Sequence, residues 1–150
     1  MSASREDAPL PLIGRKERVS FPAWDLHRVR AKVDTGAYSS ALHVASYELI
    51  EADQGMSVRL VIGLSRRRPE RVVRIEEPVV KMVNVRSSSG EETFRPLIEP
   101  VVRLGHVTRR VRLTVTDRSK MRYRMLLGRQ AIAGLFLVDV RARYLLDEQP

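Results

Sequence analysis

Residues His27 to Val33 alternate in character, with Val29, Ala31 and Val33 on one side and Arg28, Arg30 and Lys32 on the other. A strand with one buried and one solvated face carries this pattern. The run stops abruptly at Asp34-Thr35-Gly36. A half-buried strand that ends in a turn bearing a carboxylate confines the chain to folds in which neighbouring strands hold that turn in place.

The rest of the chain repeats the theme. Arg15 to Phe21 predicts a first strand, stopped by Pro22, and Ala23 to Leu26 a turn. Ser40 to Ile50 reads as a strand followed by a short helix. Ser57 to Leu64, with Val58, Leu60 and Ile62, is another strand, and Arg66-Arg67-Arg68-Pro69 a loop. Arg71 to Ile75 and Val79 to Val85 are strands flanking Pro78. Ser87-Ser88-Ser89-Gly90 is a turn signal, after which Thr93 to Ile98 returns as the second arm of a hairpin. Val101 to Leu104 and Val107 to Val115 make a further hairpin about Gly105-His106. Met125 to Leu127 is a short apolar strand, Arg129 to Ala133 a helical turn, and Leu135 to Val140 a last strand. Many short strands with turns between them predict an all-β fold, a closed barrel or a sandwich. Residues 1–9 read as a flexible tail and 10–150 as one domain, long enough to bury a core without staples.

The chain has no cysteine, which excludes a disulfide framework and thiolate chemistry. Leu10-Pro11-Leu12-Ile13 is too short for a signal peptide core, and no run approaches the roughly 18 apolar residues of a membrane helix. The cytoplasm is the expected location, with no membrane partner. The net charge is +9, carried almost wholly by Arg, since Lys occurs only at 16, 32, 81 and 120. Such a balance either selects an acidic partner or merely writes Arg for Lys on solvated faces.

Asp-Thr-Gly alone is a weak signal, because Asp and Gly are turn residues. Its context sharpens it. Val33-Asp34-Thr35-Gly36-Ala37 is followed by the hairpin tipped by Arg86 to Gly90, and then by Leu126-Leu127-Gly128-Arg129. In order and spacing, from about Arg15 to Leu137, these elements resemble the retropepsin-like aspartic peptidases, which implies an all-β closed barrel with a flap hairpin and one or two short helices. A narrower resemblance is to the bacterial family called ATP-dependent zinc proteases. It is carried by Ala31 to Ala37 with Ser39-Ser40-Ala41-Leu42-His43, by Val85 to Gly90, by Thr116-Asp117-Arg118 through Met121, and by Met125 to Arg129. Members of that family are often encoded near glutamate ligases of the ATP-grasp type, which implies trimming of glutamate-rich peptide tails.

The resemblance implies a homodimer in which Asp34 of each subunit meets its counterpart at a two-fold axis. One carboxylate takes a proton from water while the other protonates the scissile carbonyl. Two such groups cannot both ionise easily and titrate as a unit. Thr35 would hydrogen-bond across the axis, Gly36 would permit the turn, and Gly128 would pack against the loop. Ala37, Arg86, Ser87, Ser88, Gly90, Arg118 and Gly128 would contact substrate, with Arg86 to Gly90 as a flap. Where retroviral relatives carry acidic residues after Asp-Thr-Gly-Ala, this chain has Tyr38 and Ser39, so Arg129 lacks its expected acidic partner. Some of Arg86, Arg95, Arg118, Arg122 and Arg124 are expected to read substrate glutamates.

Neither zinc nor ATP is expected. His27, His43 and His106 are scattered, and no phosphate-cradling Gly-rich loop exists. His43 reads as a packed histidine. A non-catalytic peptide-binding or dimerisation module is the alternative. Sequence-specific nucleic-acid binding is not expected, because no basic surface interleaved with aromatics is visible.

Overall fold

The computed structural model describes residues 9–86, 89–117 and 122–148. In chain order the strands are β1 (Leu12–Ile13), β2 (Lys16–Phe21), β3 (Leu26–Val33), β4 (Ser40–His43), β5 (Ser46–Ala52), β6 (Gly55–Gly63), β7 (Val72–Pro78), β8 (Lys81–Arg86) and β9 (Glu92–Ile98). They continue with β10 (Val101–Leu104), β11 (Val107–Arg110), β12 (Leu113–Thr116), β13 (Met125–Leu127) and β14 (Leu137–Val138). One α-helix, α1 (Arg129–Ile132), follows β13, and 3-10 turns cover Pro22–Trp24 and Leu145–Glu148. The expected flexible tail falls almost wholly on residues 1–8, outside the described residues. No helix among the described residues is long and apolar enough to cross a membrane.

The fold is all-β, but its hydrogen bonding does not close. Nine strands run in the order β11-β10-β2-β3-β13-β4-β12-β9-β8, leaving β11 and β8 as edges. No sheet among the described residues closes into the expected barrel; the nine strands form an open sheet accompanied by a separate three-stranded sheet, β5-β6-β7. The reason lies in β6, whose alternate residues Val58, Leu60 and Ile62 are fully buried and join the main core. Covering the core by packing removes the need to join its edges.

The expected helix before Ile50 is also absent. Tyr47 and Ile50 have helical spacing, yet Ser46–Ala52 pairs residue for residue with β6 across a turn that needs Gly55 at φ 120°. The strand expected from Val107 to Val115 is two. β11 returns along β10, whereas β12 leaves to run parallel to β4, its four residues all buried.

A buried carboxylate ties the two ends of the described chain together. Glu17 is fully buried in β2. It accepts hydrogen bonds from the backbone N–H of Gly14 (2.7 Å), Leu145 (2.9 Å) and Leu146 (3.2 Å). Beside it β1 and β14 pair in parallel. In Glu17→Gln an amide NH₂ would face a backbone donor, leaving buried groups unpaired at about 2 kcal/mol or more. A fall in Tm of roughly 5–10 °C is expected; an unchanged melting curve would show that water reaches this carboxylate.

Candidate active site

β3 delivers Asp34 to the surface, and the loop it enters is clamped from below. β13 lies between β3 and β4, parallel to β3 (Leu127 opposite Val33) and antiparallel to β4 (Leu126 opposite Ala41). Both ends of the Asp34 loop thus flank one short strand. The Asp34 N–H donates to the Leu127 carbonyl at 2.9 Å. Arg129 and Gln130 N–H groups donate to the Ala37 and Tyr38 carbonyls at 2.8 and 3.0 Å. Within the turn the Gly36 N–H donates to Asp34 Oδ1 at 3.0 Å, which fixes the carboxylate orientation. Asp34 is partly buried, and Thr35 and Gly36 are exposed.

Gly128 is where the clamp closes. A Cβ added there would lie 2.4 Å from the Ser39 carbonyl oxygen and 2.7 Å from that of Tyr38. Its N–H donates to Ser40 Oγ at 3.0 Å, and the Ser40 carbonyl accepts from Thr114 Oγ1 at 3.3 Å. Ser40 is 1% exposed. Sequence reasoning assigned it no task; a serine followed by the apolar Ala41-Leu42 was the available signal.

Arg129 finds partners other than a carboxylate. Its guanidinium donates to the Thr35 carbonyl at 2.9 Å and lies 5.9 Å from the Tyr38 ring centroid. The arginine therefore braces the Asp34 turn from the helix side, with Tyr38 standing in the region where an acidic group was expected.

The structure brings Asp34, Thr35, Gly36, Ala37 and Gly128 together. Arg86 and Gly90 belong to the β8–β9 hairpin. That hairpin is linked to β4 only through β12 in the sheet order. Arg86 pairs across it with Glu92, whose pKa is lowered by that hydrogen bond and by Asn84. Ser87, Ser88 and Arg118 lie outside the described residues.

His43, at the far end of β4, is partly buried, and its Nδ1 is buried without a hydrogen-bond partner among the described residues. Burial first, then Arg124 and Arg66, hold its pKa below the usual 6.5, while Asp117 pulls the other way. The unfolded chain therefore binds this proton more readily than the folded one, so stability rises with pH through the window below 6.5. Between pH 7 and pH 5 the wild type is expected to lose more Tm than His43→Leu. Equal losses in the two thermal series would assign the acid sensitivity to other groups.

Comparison with known proteins adds to this geometry. The family model described as RimB-like, retropepsin-like aspartic endopeptidase RimB, matches residues 12–149. The match supports the retropepsin-like resemblance and does not carry the zinc-protease name. A protein named "Probable alpha-L-glutamate ligase" from Shewanella pealeana is 34% identical over 138 residues, covering 92% of this chain and 30% of its own length. One of the same name from Parasynechococcus marenigrum is 33% identical over 137 residues, covering 91% and 29%. The chain thus spans about 30% of the length of the curated relatives it matches. A crystal structure of a protein of unknown function (DUF785) from Legionella pneumophila is similar with a TM-score of 0.74 and 25% identity, covering 91% of this chain and 98% of that one.

Proposed function

Since the chain belongs to the RimB-like family of retropepsin-like aspartic endopeptidases, we propose that it hydrolyses peptide bonds as a homodimer, with Asp34 of each subunit forming one catalytic pair. The observation that carries this reading is the Asp34-Thr35-Gly36-Ala37 turn, held on both sides by β13 and its Gly128-Arg129 extension. Such bracing is what a carboxylate needs if it is to meet a second one in fixed geometry. In the dimer, the ionised carboxylate takes a proton from water, and the water oxygen bonds to the scissile carbonyl carbon. The protonated partner donates to the carbonyl oxygen. Breakdown cleaves the C–N bond and returns a proton to the departing amine.

Glutamate-rich peptide is the substrate class this reading favours. The net charge of +9 suits an acidic chain, and the glutamate-ligase names of the longer relatives point to the same chemistry. The test is cleavage of a glutamate-tailed peptide and a neutral peptide of equal length, with and without chelator. Preferential, chelator-insensitive cleavage of the acidic peptide is expected. Equal rates would sink the substrate class, and full loss with chelator would sink the metal-free mechanism.

A further inference from the structure

Beside the outward face of β3 lies a groove of about 870 Å³. Arg18, Arg28, Arg30, Arg66, Arg122 and Arg124 line it, with His43 and Tyr123 among them. A smaller hollow of about 430 Å³, lined partly by Lys16, Lys32 and Leu126, shares Arg122 and Tyr123 with it. The cationic surface therefore follows β3 from Arg28 to Lys32, two residues short of Asp34.

Half of these arginines are engaged within the protein. Arg18 pairs with Asp147 and lies 4.1 Å from the Tyr144 ring centroid. Arg66 donates to the Arg122 carbonyl at 3.2 Å, and Arg124 to that of Gly63. Among the described residues, Arg28, Arg30 and Arg122 form no ion pair. Burial and the nearby Arg66 charge also lower the Arg124 pKa, a sign of cations crowded without enough counter-charge.

Arg28 is held there at a cost. Val19 faces Val29 and Phe21 faces Leu26, so β3 carries one residue more than β2 between these pairs. This bulge leaves His27 and Arg28 both exposed, with Arg28 at φ 59°. Left-handed backbone costs a residue other than glycine about 1 kcal/mol. His43 also lines the groove, and its buried Nδ1 has no hydrogen-bond partner among the described residues.

We propose that this groove is an exosite for a carboxylate-rich peptide segment, gripped by Arg28, Arg30 and Arg122 and separate from the Asp34 loop. Guanidinium groups bind carboxylates in two-pronged fashion. Alternate residues of a strand stand about 7 Å apart, the repeat of alternate side chains in an extended peptide laid alongside. A nucleic acid would want stacking surfaces, yet among the described residues the groove offers only Tyr123 and the partly buried His43 ring, and the Lys16 ammonium sits 5.1 Å from the Tyr123 ring centroid. Arg28 and Asp34 are roughly 20 Å apart along the strand, so the gripped residues sit several positions from the scissile bond. The exosite rests on the peptidase reading only in making that segment part of a substrate.

The experiment measures binding of fluorescein-labelled octaglutamate by anisotropy, using Asp34→Asn protein so that cleavage cannot interfere. Adding Arg28→Asn with Arg30→Ser should weaken binding about tenfold, Asn being tolerant of the left-handed backbone. Arg30→Ser with Arg122→Ser serves as a second pair should the first misfold. Arg74→Ser with Arg103→Ser removes the same charge elsewhere and should change affinity less than twofold. Equal losses from the groove and control pairs would overturn the exosite, as would tighter, equally groove-dependent binding of a single-stranded RNA octamer. Octaglutamate binding without cleavage of any peptide by the wild type would sink the peptidase reading and leave the exosite standing. Cleavage without groove-dependent binding would do the reverse.

Discussion

Asp34→Asn is expected to abolish peptide cleavage while leaving the fold in place. The backbone bond from residue 34 to Leu127 does not involve the side chain, and an asparagine Oδ1 can still accept from the Gly36 N–H. What is lost is the ability to take and return a proton. In a dimer both members of the pair lose it together, so kcat should fall by at least about 10³-fold. Steady-state kinetics and a melting curve on the same sample check this. A folded Asn variant that still cleaves would remove Asp34 from the chemistry.

The second large effect is expected at Gly128→Ala. The new Cβ would meet the carbonyl oxygens of Ser39 and Tyr38, backbone atoms that cannot rotate away. Either β13 retreats or the Asp34 loop lifts, at about 3 kcal/mol or more, a loss of roughly 10 °C in Tm. Activity should fall further than stability alone accounts for, because a loop displaced by about 1 Å can cost 10²-fold in rate. Gly63→Ala is the contrast. Nothing lies within 4 Å of a Cβ there, so its Tm should stay close to wild type. Similar melting temperatures for the two variants would mean that the clamp has slack.

The parts of the fold that were legible in the sequence are those written in neighbouring residues. The alternation of β3, its stop at Asp34 and the hairpin arms on either side of residues 87–90 are all local patterns. That the main sheet stays open was not legible, because whether β6 joins it or packs over it depends on pairings chosen across the whole chain. A short helix was expected before Ile50, and the pairing of that segment with β6 overrode it. Arg129 was expected to want an acidic partner. A carbonyl and an aromatic face serve instead, and neither announces itself in a string of residue types. The arginine groove gathers residues from β2, β3 and two distant loops, a juxtaposition that exists only after folding.

Glu17 also has a consequence for how the domain is made. Its carboxylate is synthesised early, but two of its three backbone donors belong to residues 128 and 129 positions later. Until they arrive, that charge keeps its water, and β2 cannot be sealed into the interior. Closing so long a loop adds little entropy beyond a shorter one, since the cost grows only logarithmically. It does set an order of events. The core can condense around β3, β4 and β13 first, while the first and last segments join as a late latch. Maturation on this scheme is gated by Leu145 and Leu146, and the nascent domain carries an unlatched edge until they emerge.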